Sequence, residues 1–401
     1  MARAITLSLF GRLAVLSSLA FAGCGPTAVP DSSGSSLSLV ETLGGADTVG
    51  YARAVTPRVF DFPADHGSHP DFRTEWWYVT GNVASAQGRA FGFQFTIFRS
   101  SLSPDAPGGP SAWSTNQAYM GHFAVTDIET GQFRSFERIG RGSVGLAGVT
   151  AVPFRTWIED WALEGQVASP TGATDVDGGV YPMRLRAEGS GTYLDLSLEG
   201  GKDRVLQGDR GLSMKGPEPG NASFYYSRTR MPASGRLVLD ADTFDVDGLA
   251  WLDREWSTSA LSEGQVGWDW FALQLDDGWE MMIYQLRGAD GSAGPMSAGA
   301  IIDPEGERMD LALSTQLLFE STGTWTSAID GTSYPSGWRI QVPSRGWDLA
   351  VTPAVLDQEL DLSFRYWEGA VRVRGSGEGG RAVTGAGYAE LTGYAESDPG
   401  R

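Results

Sequence analysis

Cysteine occurs once in the 401 residues, at Cys24, and histidine three times. One cysteine closes no intramolecular disulfide, and as the sole cysteine of the chain it argues against a catalytic thiol or a cysteine-ligated metal cluster. Basic residues are the minority: 30 Lys and Arg stand against 49 Asp and Glu, leaving a formal charge of −19. A surface so acidic is a poor partner for nucleic acid. Long apolar runs are absent too. The stretch from Leu13 to Gly23 is far short of the ~20 residues needed to cross a hydrocarbon core. No Gly-x-Ser-x-Gly elbow and no phosphate-binding glycine loop appears.

The apolar stretch follows Arg3 and Arg12 and ends in Ala22-Gly23-Cys24. That is the form of a secretory leader with a lipobox, so residues 1–23 are expected to be a signal peptide and Cys24 the lipidation site. The expected location is the bacterial cell envelope, periplasmic face or outer membrane, with the membrane reached through the acyl chains alone, since an acidic surface is repelled by anionic lipid. Residues 24–56, rich in Ser, Gly, Pro and Ala, read as a flexible tether.

Beyond the tether, short alternating apolar runs are broken by Gly, Asp and Pro, with Phe91, Phe93, Phe95 and Ile97 on one strand face. Asp276-Asp277-Gly278 between two such runs predicts a hairpin. An internal repeat is visible in four ordered matches. Trp76-Trp77-Tyr78 corresponds to Trp268-Asp269-Trp270, Met120–Asp127 to Met296–Asp303, Tyr181-Pro182 to Tyr334-Pro335, and Val246–Asp253 to Val383–Glu390. The spacing between partners shrinks steadily, as it does when the first copy has the longer loops. The expected fold is all-β, two antiparallel β-barrel domains from a duplication, spanning 57–258 and 259–397. A ligand could sit inside a barrel or in the joint between the two.

Two clusters could carry chemistry. The first is Trp251-Leu-Asp253-Arg254-Glu255-Trp256 together with Trp268-Asp269-Trp270. Strand alternation puts Trp251, Asp253 and Glu255 on one face and Arg254 and Trp256 on the other, with Trp268 and Trp270 opposed to Asp269. A carboxyl among tryptophans loses hydration and can stay protonated near neutrality as a general acid. Indole faces attract a developing carbocation, and a second carboxylate can orient water. The plain alternative is structural ion pairs beside a tryptophan-filled core. The second cluster, Asp65-His66-Gly-Ser-His69 through Glu75-Trp76-Trp77-Tyr78, has a His-x-x-His spacing that could hold a metal. Its proline and glycines favour a structural loop or a pocket lid, and no metal is assigned. His122 reads as a satisfied core histidine.

Several motifs resemble the AttH-like lipocalin family, which shares a superfamily with carotenoid 1,2-hydratases and kievitone-type hydratases. They are Asp65-His66-Gly67-Ser68-His69-Pro70, Thr74-Glu75-Trp76-Trp77-Tyr78, Leu206-Gln207-Gly208-Asp209, Tyr225-Tyr226-Ser227, Trp251–Ser257 and Gly267–Phe271. The resemblance implies two lipocalin-like barrels, a hydrophobic, isoprenoid-like ligand, and cofactor-free hydration of a carbon–carbon double bond. Asp253 or Asp269 would be the acid, and Glu255 or Glu75 would assist the water. Trp76, Trp77, Tyr78, Trp251, Arg254, Trp256, Trp268 and Trp270 would line the site. A non-catalytic carrier or sensor of a lipophilic molecule would use the same pocket.

Overall fold

The computed structural model describes residues 48–105, 111–165, 179–258, 261–262 and 264–395. Cys24 and the leader lie outside the described residues. Among the described residues there are two large antiparallel sheets and a two-stranded one, Thr324–Thr326 with Ser333–Pro335. From one edge, the first runs Gln132–Arg141, Gln117–Asp127, Ala90–Ser101, Thr74–Ser85, Asp242–Ser257, Ala222–Leu239, Thr192–Leu198, Met183–Gly189, Trp161–Gly165, Phe154–Ile158 and Ala147–Ala151. The second runs Arg308–Leu311, Ala298–Ile302, Glu280–Gly288, Gln265–Leu275, Ala382–Leu391, Arg365–Ser376, Trp347–Pro353, Trp338–Val342 and Leu318–Ser321. The first curls into a nearly closed barrel and the second into a half-barrel, the pair of β-barrels that the patterning predicts and that the family resemblance implies to be lipocalin-like.

The sheets share one plan. In each, the first four strands run backwards from the edge, the last two follow, and the middle strands complete the path. All four repeated segments fall on or lead into equivalent strands, which is the outcome expected of a duplication. The hairpin at Asp276-Asp277-Gly278 forms, with Gln274 opposite Glu280 and Gly278 at φ 91°, the left-handed region that a tight turn needs.

Period-two alternation then decides what packs where. Trp77, Val79, Phe93, Phe95, Ile97, Leu194, Leu196 and Leu252 fill the interior of the first sheet. Phe271, Leu273, Ile283, Trp338, Leu349 and Val373 fill that of the second. Each such side chain contributes about 1.5–3 kcal/mol by leaving water, so the barrel interiors are packed with protein. The opposite faces of the same strands form a third cluster, where Tyr78, Tyr225, Trp251, Trp270, Tyr284 and Tyr388 join sheet to sheet.

Hydrogen bonds fix that joint. Thr126 Oγ1 donates to Gln358 Oε1 at 2.7 Å, and Lys202 Nζ lies 2.8 Å from buried Glu280, which also pairs with Arg230. Gly92 faces the joint, where a Cβ would stand 2.6 Å from that of Ala370, so the two backbones approach as only glycine allows.

One expectation is revised at the start of the described chain. The tether was expected to run loose to residue 56, yet Tyr51 O–H donates to the Ser101 carbonyl at 2.8 Å, the Ala52 amide donates to the Asp71 carbonyl at 2.8 Å, and Ala54 is fully buried. Small residues without periodicity look like a linker, but their backbone groups are free to pair with a neighbouring segment.

Candidate functional site

The strand Thr74–Ser85 lies between Asp242–Ser257 and Ala90–Ser101, with Glu75 opposite Trp256, Trp76 opposite Glu255, and Tyr78 opposite Asp253. This register turns Trp76, Tyr78, Asp253 and Glu255 toward the joint. From the second sheet come Trp268, Trp270, Tyr284, Leu286 and Glu390, and Phe98, Lys215, Tyr225 and Leu261 complete the wall of a cavity of about 80 Å³. It is a largely aromatic chamber with three carboxyl groups and one ammonium. A space this small takes the end of a ligand rather than a whole polyene.

The cavity repeats the duplication in its walls. Trp76 and Trp268 are matched in the two copies, as are Tyr78 and Trp270, and Asp253 and Glu390; all six line it. Equivalent faces of two copies have closed on one another.

Asp253 is buried at the centre of a donor cluster. Ser227 Oγ donates to Oδ1 at 2.5 Å, Trp251 Nε1 to Oδ1 at 2.8 Å, and Tyr225 O–H to Oδ2 at 2.7 Å. Burial pushes its pKa up to about 7 against the pull of these donors, with the nearby Glu255 adding to the rise. The carboxyl group can therefore hold its proton near neutrality. Glu255 accepts from Ser223 Oγ and lies 3.0 Å from Lys215 Nζ. Lys215 also donates to Ser213 Oγ at 3.3 Å and stands 4.7 Å from the centre of the Tyr284 ring. Burial works against its charge, but Glu255 and Tyr284 outweigh burial and raise its pKa.

Glu390 was met in the sequence only as the repeat partner of Asp253. It faces Glu368 across the strand pair. Tyr78 O–H donates to Glu368 Oε1 at 2.5 Å, and burial, reinforced by the other carboxyl, drives the pKa of Glu368 well above the ordinary range. Burial raises Glu390 as well, against a hydrogen bond from Trp268, with Asp253 and Glu255 adding to the rise.

The structure brings only some of the expected site residues together. Trp76, Tyr78, Trp268, Trp270, Asp253 and Glu255 line the cavity, with Trp251 bonded to Asp253 behind them. Asp269 points away, paired with Arg287 Nη1 at 2.7 Å and bonded to Tyr394 O–H at 3.0 Å. Burial still raises it to about 6 against the Arg287 charge, but it has no access to the cavity. Trp77 belongs to the first barrel's core. Glu75 is clamped between Arg99 and Arg254, and Arg254 lies 3.9 Å over the Trp77 ring. Trp256 stacks on His69 with centroids 3.8 Å apart. These residues occupy the opposite strand face, where alternation put Arg254, Trp256 and Asp269. The motif that joined them to the site is a folding motif on that side.

The two histidines of His-x-x-His do not converge. His66 Nδ1 is 2.7 Å from Tyr226 O–H, whereas His69 bridges Asp65 at 3.0 Å and Glu75 at 3.2 Å. Arg58, Arg99 and Arg254 already neutralise those carboxylates, so the loop reads as a structural network. His122 is satisfied on both nitrogens, by Tyr366 O–H at 2.7 Å and Glu137 at 3.2 Å.

Lys215, Tyr225 and Tyr284 were missed as wall residues. Tyr225 stood in a quoted motif, Tyr-Tyr-Ser, where alternation alone could not say which tyrosine faced the joint. Lys215 follows a short strand, Leu212–Met214, in a glycine-rich stretch with no pattern to orient it.

A family model described as AttH-like matches residues 53–394. The chain belongs to the AttH-like family. A crystal structure of a protein assigned as an AttH from Nitrosomonas europaea is 34% identical, with a TM-score of 0.72, over 86% of this chain and 99% of that one. Kievitone hydratase from Nectria haematococca shares the fold at 14% identity and a TM-score of 0.63, over 86% of this AttH-like chain and 96% of its own. CghA, solved with Sch210972, does so at 12% identity and a TM-score of 0.53, over 89% and 98%. No protein of curated function matches the sequence.

Proposed function

We propose that this AttH-like protein hydrates a carbon–carbon double bond at the end of an apolar, isoprenoid-type ligand held in the joint cavity. Asp253 carries the reading, because a carboxyl group with a pKa of about 7 lines an aromatic chamber. Its proton forms the new C–H bond as the π bond breaks. The tertiary carbocation left behind lies against Trp76, Trp268 and Trp270, whose ring faces stabilise it. Water held by Glu255 adds to the cation, and the proton it loses returns to the Asp253 carboxylate, so the cycle balances without a cofactor. A fold-mate named as a hydratase, and another solved with Sch210972, support a hydratase-type or ligand-binding role.

Incubation with a prenylated phenol in oxygen-18 water tests this. The expected product gains one labelled water, Asp253→Asn abolishes the gain, and the variant still binds within about tenfold of the parent. A carrier is favoured by one observation. Ser227, Trp251 and Tyr225 give Asp253 three donors, a set that suits a fixed anion. Binding with no change in ligand mass selects the carrier.

We also propose that the chain is tethered to a bacterial envelope membrane through a lipid on Cys24, which the arginines, apolar stretch and small residues before that cysteine support. Metabolic labelling with a fatty acid, lost in Cys24→Ala, is the check.

A further inference from the structure

Thr74, Ser100 and Ser257 lie side by side at one end of the first sheet, and Gln117 and Arg141 extend the same end on the neighbouring strands. Three independent features gather there.

The cavity is the first. Trp76, Phe98 and Glu255 stand close to that end, and Leu261 follows the last strand of the sheet out of it. The second is a fringe of exposed apolar side chains. Leu102 (60% exposed) continues from Ser101, Trp113 (70% exposed) precedes Gln117, and Val144 and Leu146 follow Arg141. They are held as one surface: the Leu102 amide donates to the Asn116 carbonyl at 2.7 Å, the Val144 amide to the Ala112 carbonyl at 3.0 Å, and Ser143 Oγ to the Trp113 carbonyl at 3.1 Å. Val144 is fixed outward at φ 48°, a conformation a β-branched residue takes only when its surroundings impose it. The third is the arrival of the chain. Val49, 80% exposed, is followed by Gly50, beside which a Cβ would stand 2.8 Å from Pro104, and by Tyr51, bonded to Ser101.

Water disfavours a contiguous apolar fringe. A tryptophan flanked by aliphatic side chains suits the lipid–water boundary, where the ring is buried and its N–H stays wet. We infer that this end of the first sheet rests on a lipid bilayer, with Leu102, Trp113, Val144 and Leu146 dipping into it beside the tether's arrival point, so that an apolar ligand passes from the membrane into the joint cavity. The inference builds on the apolar-ligand and tether readings. It commits to a lipid surface low in negative charge, since a chain of net charge −19 is repelled by anionic lipid.

Among the described residues the buried cores are made by residues from Ala54 to Leu391, so the test uses residues 25–401, which keep every one of those cores and hold no cysteine. Without Cys24 no acyl chain contributes. An environment-sensitive fluorophore is placed on Trp113→Cys, or on Gln87→Cys in the exposed turn at the opposite end, and each protein is mixed with phosphatidylcholine vesicles. The expected result is a blue shift at 113 and none at 87, with vesicle binding at least about tenfold weaker in Leu102→Ser/Leu146→Ser. No shift at 113, or equal shifts at both positions, overturns the docking surface. A lipidated full chain that partitions into vesicles while the 113 probe on the unlipidated chain stays in water would keep the tether and discard this surface. Thermal midpoints within a few degrees of the parent show that the substituted proteins remain folded.

Discussion

Asn82 and Gln274 make equivalent hydrogen bonds from opposite sides of the joint: Asn82 Nδ2 donates to the Gly387 carbonyl at 3.1 Å, and Gln274 Nε2 to the Ala250 carbonyl at 3.0 Å. The repeat that matches Trp76 with Trp268 also matches Asn82 with Gln274, and the one that matches Trp251 with Tyr388 matches Ala250 with Gly387. The two copies therefore meet about an approximate twofold axis, and the cavity is the part of that contact left unfilled. Gln274 also donates to the Thr229 carbonyl at 2.7 Å and is the more buried of the two. Gln274→Leu is expected to cost about 1–3 kcal/mol through two carbonyls left unsatisfied, and Asn82→Leu less. Denaturant unfolding of both variants checks the ranking; equal costs would break the argument from burial.

The titration of Asp253 has a consequence for stability. Folding raises its pKa from about 4 in an unfolded chain to about 7, so the native state holds the proton more tightly. Stability is then greatest below the unfolded value and declines as pH rises through 7. Glu390 and Glu368 are raised by folding as well and act in the same direction. The thermal midpoint of the parent should fall between pH 5 and about 8, and Asp253→Asn should flatten that fall. An identical slope in the two proteins would show that Asp253 is not the titrating group.

Glu75 gives the opposite sign. The Arg254 and Arg99 charges overcome its burial and hold its pKa far below the carboxylate range. Its contribution is present above the unfolded value and is lost as pH falls below about 4. Glu75→Gln leaves two buried guanidinium groups facing a neutral amide and should cost about 3–5 kcal/mol at neutral pH. Ligand binding by the folded fraction should be retained, because Glu75 lies on the barrel side of its strand. Binding lost with stability intact would return Glu75 to the site.

How much of this was legible beforehand follows from the range of each signal. Strand alternation is local, and it placed Asp253 and Glu255 apart from Arg254 and Trp256; Trp76, Trp77 and Tyr78 were expected at the site together, and the folded register sends Trp77 into the barrel core instead. The duplication and the all-β class were equally plain, because a repeat in fixed order survives loop changes. Parity also sets Asp269 opposite Trp268 and Trp270, but it does not say which face meets the other copy, so in the sequence alone Asp253 and Asp269 are equivalent, and the joint of the two sheets separates them. Lys215 and Glu390 needed the tertiary contact itself, since nothing in a glycine-rich stretch or a final strand announces its neighbour across a joint. The arginine-clamped Glu75 shows the converse, a dense polar motif whose work is to hold a loop in place.

Lys215 and Glu255 offer the sharpest test of the charge balance in the cavity. Their contact is 3.0 Å, and the two side chains are only 12% and 7% exposed. Lys215→Met strands a carboxylate and should cost about 3–5 kcal/mol. Adding Glu255→Gln removes the stranded charge, so the double variant should be more stable than the sum of the single effects by at least about 1 kcal/mol. The same pair separates holding water from holding ligand. In the double variant an apolar ligand should still bind, while hydration slows by about 10²-fold or more because no anion orients the nucleophile. Strict additivity in the unfolding cycle would mean the two groups do not interact. Unchanged turnover would move the water-directing role from Glu255 to Glu390, the remaining carboxyl group on the cavity wall.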